Sequence, residues 1–245
     1  MSGEPKSKQG VRIKETVSLT GMKRAVAEHM VMSHQQVPSV TVFADLEMDA
    51  LLTFKREMLD AAAAEAGIRL TLTPIVIKAV AVALQRFPLL NATIGEDGIQ
   101  LLDEVNIGMA VALPDGNLIV PVIRNAGSMT IIEVAQESNR LAAAAVAGKV
   151  SLNDVRGGTF TVSNVGSVPG TLWQTPLVNH PQSGILALGR VREAPVVRDG
   201  QLGVGRLMGA SLSFDHRVIS GLPASEFMAC LAELLRMPEM VHAAD

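Results

Sequence analysis

Tyrosine is absent from the 245 residues, tryptophan occurs once and phenylalanine six times, so aromatics make up 3% of the chain. A core must therefore be packed from Val, Ile, Leu, Ala and Met. The single cysteine, Cys230, sits in an apolar helical pattern and reads as a small buried hydrophobe rather than a catalytic thiol. One cysteine excludes a disulfide framework and fits a reducing, cytoplasmic setting. No apolar run reaches transmembrane length and no signal peptide opens the chain, so no membrane partner is expected. The net charge is -3, without a basic patch interleaved with aromatics, which argues against nucleic acid. No His/Cys/Asp/Glu spacing suggests a metal site, and no Gly-x-Ser-x-Gly elbow suggests a serine hydrolase.

What is present is a 48% hydrophobic chain, long enough for one large domain or two small ones. Near its C-terminus lies Ser211-Leu-Ser-Phe-Asp-His-Arg-Val-Ile-Ser-Gly221. Leu212 and Phe214 alternate with small or polar residues, as a half-buried strand requires. The strand delivers Asp215, His216 and Arg217 at its end, then turns at Gly221 into an apolar helix. Strand ends are rigid and loop mouths are open, a combination that suits a catalytic group. His216 is the side chain best able to move a proton near neutral pH.

The rest of the chain mixes helices and strands. Residues 1 to 12 are polar and read as a linker end. Ser18 to Met30 reads as a helix with Met22, Val26 and Met30 on one face. Val37 to Met48 alternates as a strand, with Val40, Val42, Ala44, Leu46 and Met48 on one side. Asp49 is placed to cap a helix that stops at Gly67. Thr73-Pro74 reads as an N-cap and first-turn proline before an apolar helix, Ile75 to Phe87. Asp97-Gly98 and Asp115-Gly116 mark hairpins, with strands expected over Val105–Leu113 and Leu118–Ile123. Thr130-x-x-Glu133 is a capping box for a helix ending at Gly148, and a shorter helical piece follows Ser151. Gly157 to Gly166 gives a strand with a polar end that carries Ser163. Ile185–Val191 and Met208–Phe214 are further strands around a hairpin at Asp199-Gly200. A final helix runs from about Pro223 to Arg236. Hairpins between several strands favour an α+β two-layer sandwich with a mixed sheet over a doubly wound parallel fold.

Four separated motifs then share one resemblance. Asp215-His216-Arg217-Val218-Ile219-Ser220-Gly221 is similar to the Asp-His-Arg-x-x-Asp-Gly signature of the dihydrolipoyl acyltransferases, the cores of 2-oxo acid dehydrogenase complexes. Phe87-Pro-Leu-Leu-Asn91, Gly157-Gly-Thr-Phe-Thr-Val-Ser-Asn-Val-Gly166 and the helix around Gly21-Met-Lys-Arg24 resemble the family's segments in the same order. The resemblance spans about residues 15 to 240 and implies a chloramphenicol acetyltransferase-like fold. It implies a linker or arm over 1–14 and a catalytic domain over 15–245.

The activity it implies is acyl transfer between dihydrolipoamide and coenzyme A, the lipoyl group being supplied by another domain or protein. His216 would be the base and Ser163 the donor to the carbonyl oxygen. Asp215, Arg217 and Arg24 would orient the loop. Ser220 stands where the family has Asp, which would pair with a basic residue such as Arg24. His29 and His34 read as solvated, and His180 as structural. The resemblance further implies a homotrimer with His216 meeting Ser163 of a neighbouring copy, with a higher cubic assembly as the family's way of joining such trimers. Its partners would be lipoyl domains and the 2-oxo acid dehydrogenase and dihydrolipoamide dehydrogenase components. Two other readings stay open at this point: a non-catalytic trimeric scaffold degenerate at Ser220, and a stand-alone coenzyme A-dependent acetyltransferase. The residues that bind coenzyme A are not legible.

Overall fold

Two 15-residue strands carry the architecture of this computed structural model, which describes residues 7–242 and, at Met22, the backbone alone. The expectations for residues 1–6, for 243–245 and for the Met22 side chain lie outside the described residues. β9 (Gly184–Arg198) and β10 (Gln201–Asp215) are joined by Asp199 and Gly200, both at positive φ, 51° and 76°. That pair of left-handed residues is what a two-residue hairpin between right-twisted strands demands.

In chain order the elements are α1 (Gly21–Gln36), β1 (Ser39–Glu47), α2 (Asp49–Phe54), a π-helical turn, α3 (Asp60–Glu65), α4 (Leu72–Arg86), β2 (Ala92–Gly95) and β3 (Gly98–Leu101). Then come β4 (Ile107–Met109), β5 (Val111–Ala112), β6 (Leu118–Ile119), β7 (Val122–Ile123), α5 (Ile131–Val146), α6 (Leu152–Val155) and β8 (Phe160–Asn164). The long hairpin follows, and α7 (Gly221–Arg236) and α8 (Glu239–His242) close the described chain. Among the described residues the main sheet has the order β1-β10-β9-β8-β4-β7. β8 runs parallel to both β9 and β4, and the other pairs are antiparallel. This is the expected mixed-sheet α+β sandwich. No helix among the described residues is long and apolar enough to cross a membrane.

One face of the sheet buries Val162, Leu186, Leu188, Leu212 and Phe214 against α4, α5 and α7. α4 is buried nearly all round, including Lys78 at 0% exposure. Its ammonium donates to the carbonyls of Gly127 and Met129, at 3.2 and 2.6 Å, because a buried cation must keep hydrogen-bond acceptors. The opposite face is crossed by the segment from Thr171 to Gln174. Gln174 N–H donates to Ser211 Oγ (3.4 Å) and Arg190 N–H to Thr171 O (3.0 Å). At Gly189 a Cβ would collide with the carbonyl of Leu172, so glycine is what lets this segment lie flat on the sheet.

Local signals held where their partner is local. Thr130 and Glu133 exchange both capping-box bonds, and Ser151 and Asp154 do the same at α6. The long-range polar groups need correction. Asp49 does not cap: it is the first helical residue, and its carboxylate accepts from Arg198 Nη2 (2.7 Å) and Arg206 N–H (3.1 Å). Thr73 is not the N-cap either. α4 starts at Leu72 after Thr71, and Thr73 Oγ1 accepts from Asn164 Nδ2 at 2.8 Å. α1 starts at Gly21 and runs on to Gln36, and Val26 is exposed. The two strands expected over 105–123 are each split in two. Pro121 has no N–H for the ladder, so pairing passes from β5–β6 to β4–β7. Cys230 is half-buried rather than buried, with Arg86 Nη1 3.7 Å from its sulfur.

Candidate active site

β10 ends at Asp215, whose N–H donates to Ser183 O (2.9 Å), and the chain then folds back on this residue. Val218 and Ile219 N–H both donate to Asp215 O. Asp215 is 3% exposed, and its side chain accepts from Arg217 three ways: backbone N–H (3.0 Å), Nε (3.0 Å) and Nη2 (2.6 Å). These bonds hold Arg217 still more firmly in its cationic form, against the opposing effect of burial. A buried carboxylate left without its partner costs about 3–5 kcal/mol, less here because the Arg217 side chain is 43% exposed. Asp215 and Arg217 thus clamp the turn from both sides of His216.

His216 itself points outward and is exposed. Its backbone N–H donates to Pro38 O (3.1 Å), and its ring rests 5.8 Å from that of Phe214. Ser220 is the N-cap residue of α7, yet its hydroxyl makes no cap bond. Ser163 lies on β8 between Val162, which faces the helices, and exposed Asn164, so strand alternation turns its half-buried hydroxyl to the opposite sheet face. Neither Ser163 Oγ nor the His216 ring has a hydrogen-bond partner among the described residues.

These groups are not brought together within one protomer. Ser163 and Ser211 both pair with Ala187, so they stand level, two strands apart. His216 is five residues beyond Ser211, about 17 Å further along and about 10 Å across, so roughly 20 Å from Ser163. Arg24 is not on Ser220: its Nε donates to Leu19 O at 3.0 Å.

Sequence reasoning missed the ring of neighbours behind the loop. His29 is not simply solvated; its Nε2 meets Asn179 Oδ1 at 2.8 Å. His180 N–H donates to Ser33 Oγ (3.3 Å), which ties the β8–β9 loop to α1. Burial pulls the His180 imidazole below its usual pKa, helped by His29 and Arg217 and opposed by Asp215. The pairing of His29 with Asn179 spans 150 positions and left no local signal.

The mixed sheet thus presents a clamped, outward-facing histidine at the end of β10. The chain belongs to the family described as 2-oxoacid dehydrogenases acyltransferase (catalytic domain), which matches residues 12–243. It is 37% identical over 228 residues to the dihydrolipoyllysine-residue acetyltransferase component of the pyruvate dehydrogenase complex from Staphylococcus aureus, covering 92% of this chain. The chain spans about half the length of the curated relatives it matches, 52% in that case. The dihydrolipoamide acetyltransferase of Azotobacter vinelandii superposes with a TM-score of 0.89 at 33% identity, covering 98% of this chain and 99% of its own. In that enzyme a serine, a histidine and an asparagine four positions beyond the histidine have been studied for their role in catalysis. The cubic core of a pyruvate dehydrogenase multienzyme complex matches equally, at a TM-score of 0.89 and 33% identity over 98% of this chain and 99% of its own. Chloramphenicol acetyltransferase, at 16% identity and a TM-score of 0.54, shares the fold alone.

Proposed function

We propose that the chain, with residues 15–245 as its catalytic domain, transfers an acyl group between dihydrolipoamide and coenzyme A. The observation that carries this reading is the separation of two unpartnered groups, Ser163 and His216, on opposite ends of one sheet. Each is useless to the other in its own protomer and available to a second copy. In a closed ring of copies, His216 of one meets Ser163 of the next, and a homotrimer is the arrangement we adopt. His216, as the neutral imidazole, removes the proton from the attacking thiol. The thiolate forms a new C–S bond at the thioester carbonyl, and Ser163 Oγ donates to the oxygen that gains charge. The intermediate collapses by breaking the old C–S bond, and the imidazolium returns its proton to the departing thiolate. Asp215 and Arg217 hold the turn. Ser220, four residues past His216 like the asparagine of the Azotobacter relative, supplies an uncharged hydrogen-bonding group at that position.

The lipoyl group arrives on a separate domain, and the partners are the 2-oxo acid dehydrogenase and dihydrolipoamide dehydrogenase components, with trimers building a cubic core in a cytoplasmic complex. Co-assembly tests the shared site. His216→Ala and Ser163→Ala chains are each expected to lose transfer while keeping their solution mass. Mixed one to one within trimers, they restore activity in about a quarter of the sites, because a site then draws its serine and its histidine from different chains. Mixed trimers that stay dead would overturn the shared site. A wild-type chain that forms trimers but transfers nothing would leave only a scaffold.

A further inference from the structure

The turn that carries His216 closes a ring of three short segments. Ser33 Oγ, in the last turn of α1, accepts from His180 N–H (3.3 Å). Three residues on from His180, Ser183 O accepts from Asp215 N–H (2.9 Å). The next residue, His216, donates its N–H to Pro38 O (3.1 Å), and Val37 N–H returns the path to Ser33 O (3.0 Å). His29 stands one helical turn before Ser33, on the same face of α1, and its Nε2 meets Asn179 Oδ1 at 2.8 Å. Val37, Val178 and Ile185, which flank these segments, form a buried cluster of three apart from the main core. So little apolar packing backs the ring that its hydrogen bonds decide how firmly it is held. A shift of the loop over 179–183 therefore reaches both Asp215 and the path that holds His216.

His180 puts a titratable group into this ring. It is half-buried and lines a cavity of about 260 Å³ with His29, Asn179 and Gln182. The groups whose charge acts on it are His29 from α1, and Asp215 and Arg217 from the turn after β10. The other walls of the cavity are Gly108, Val120, Val122, Val155, Gly157, Gly158 and Pro181, none of which titrates. Burial, His29 and Arg217 all disfavour a charged His180, and Asp215 favours it. A proton on His180 would set a second cation in the field of Arg217. It would also offer a rival for the Asp215 carboxylate, on which Arg217 makes its three bonds.

We infer that His180 is a positioning residue for the transfer reaction: as the neutral imidazole it leaves the Asp215–Arg217 clamp closed, and as the cation it loosens the clamp and releases the turn that aims His216. The inference rests on the acyl-transfer reading for its consequence and on the ring for its cause. Opening the turn relieves both the burial and the repulsion, so the open form takes up the proton more readily and acid shifts the population toward it. His216 stops acting as a base when it gains one proton. Opening of the clamp adds a second, so the rate falls more steeply on the acid side than one proton allows.

Hydrogen–deuterium exchange of the full chain at about pH 7.5 and about pH 5.5, corrected for the intrinsic pH dependence of exchange, reads the clamp without reference to activity. The Arg217, Val218 and Ile219 amides all bond to Asp215. Their protection is expected to fall about tenfold in wild type and less than about twofold in His180→Asn and His180→Gln, as a linkage through one proton requires. Over the same interval kcat for acyl transfer should drop about tenfold less in the variants than in wild type.

Equal loss of protection in wild type and variants overturns the inference. So does an intact clamp in wild type while the His180 ring signal titrates by NMR, a measurement that needs no variant. A His180 ring that stays neutral down to about pH 5 overturns it as well. Wild type whose clamp opens through His180 but which transfers no acyl group keeps the switch and loses the reaction. Wild type that transfers acyl groups with a clamp indifferent to pH keeps the reaction and loses the switch.

Discussion

Ser163 and Ser211 face the same Ala187 partner, one on each side of β9, and this register fixes how far Ser163 is from the strand end that carries His216. The two are separated by the sheet itself, which no side-chain rotation can shorten. Any chemistry that needs both must come from two copies. The donor role has a kinetic signature. Ser163→Ala is expected to lower kcat by about 100- to 1,000-fold with little change in KM, because the bond strengthens as charge develops. Steady-state kinetics at varied thiol and thioester decide it. A large KM change at unaltered kcat would assign Ser163 to substrate binding.

Ser220 can be probed by hydrogen bonding and by charge. Its hydroxyl is unused as a cap. Ser220→Ala is expected to slow transfer by about 2- to 10-fold, the worth of one ordinary hydrogen bond, while Ser220→Asn keeps the rate. Ser220→Asp should raise turnover, and adding Arg24→Met should cancel the gain if Arg24 is the carboxylate's partner across copies. A gain that survives Arg24→Met names another partner, and equal rates in all variants remove Ser220 from the site.

The His180 imidazole predicts acid sensitivity. Its pKa in the folded chain lies below the usual value near 6.5, mainly through burial, so the unfolded chain binds the proton more readily. Its contribution to stability is full above about pH 6.5 and is lost as pH falls through the folded value. His29 and Arg217 add to the depression and Asp215 opposes it. Tm measured from pH 5 to 7.5 should fall on the acid side, and His180→Asn should flatten that fall. An unchanged slope would show that other groups carry it.

Gly189 is expected to be intolerant. In Gly189→Ala the new methyl meets the Leu172 carbonyl, which lifts the segment that carries Trp173. Overpacking of this kind costs about 1–3 kcal/mol, which is a drop of roughly 2–12 °C in Tm for a chain of this size. Trp173 is the single tryptophan, and Arg192 sits 5.2 Å above its ring, so intrinsic fluorescence reports the displacement directly. Unaltered emission and Tm would mean that the segment accommodates the methyl.

The sequence made legible what is local. The Thr130 and Ser151 caps, the Asp199-Gly200 turn and the strand end at His216 all carry their partners within a few residues. The failures share a different property. Thr73 looks like a cap until Asn164, 91 positions away, claims its hydroxyl; Asp49 is claimed by Arg198 at 149. Serine, threonine and aspartate cap helices only when nothing better is in reach, and what is in reach depends on the fold. The candidate residues were named from motifs, and the resemblance already implied that His216 meets Ser163 of another copy; their separation within one protomer follows from strand order, not sequence spacing. Motif resemblance supplied the identities of the two groups.

Under the proposed reading, the divided sheet also makes catalysis a matter of concentration. With the proposed base and donor roughly 20 Å apart, a lone protomer would be folded but chemically silent. Dilution that separates copies would extinguish turnover while helix content and melting behaviour of the individual chain stay behind. Specific activity then reports the fraction of chains in company, and folding reports something else.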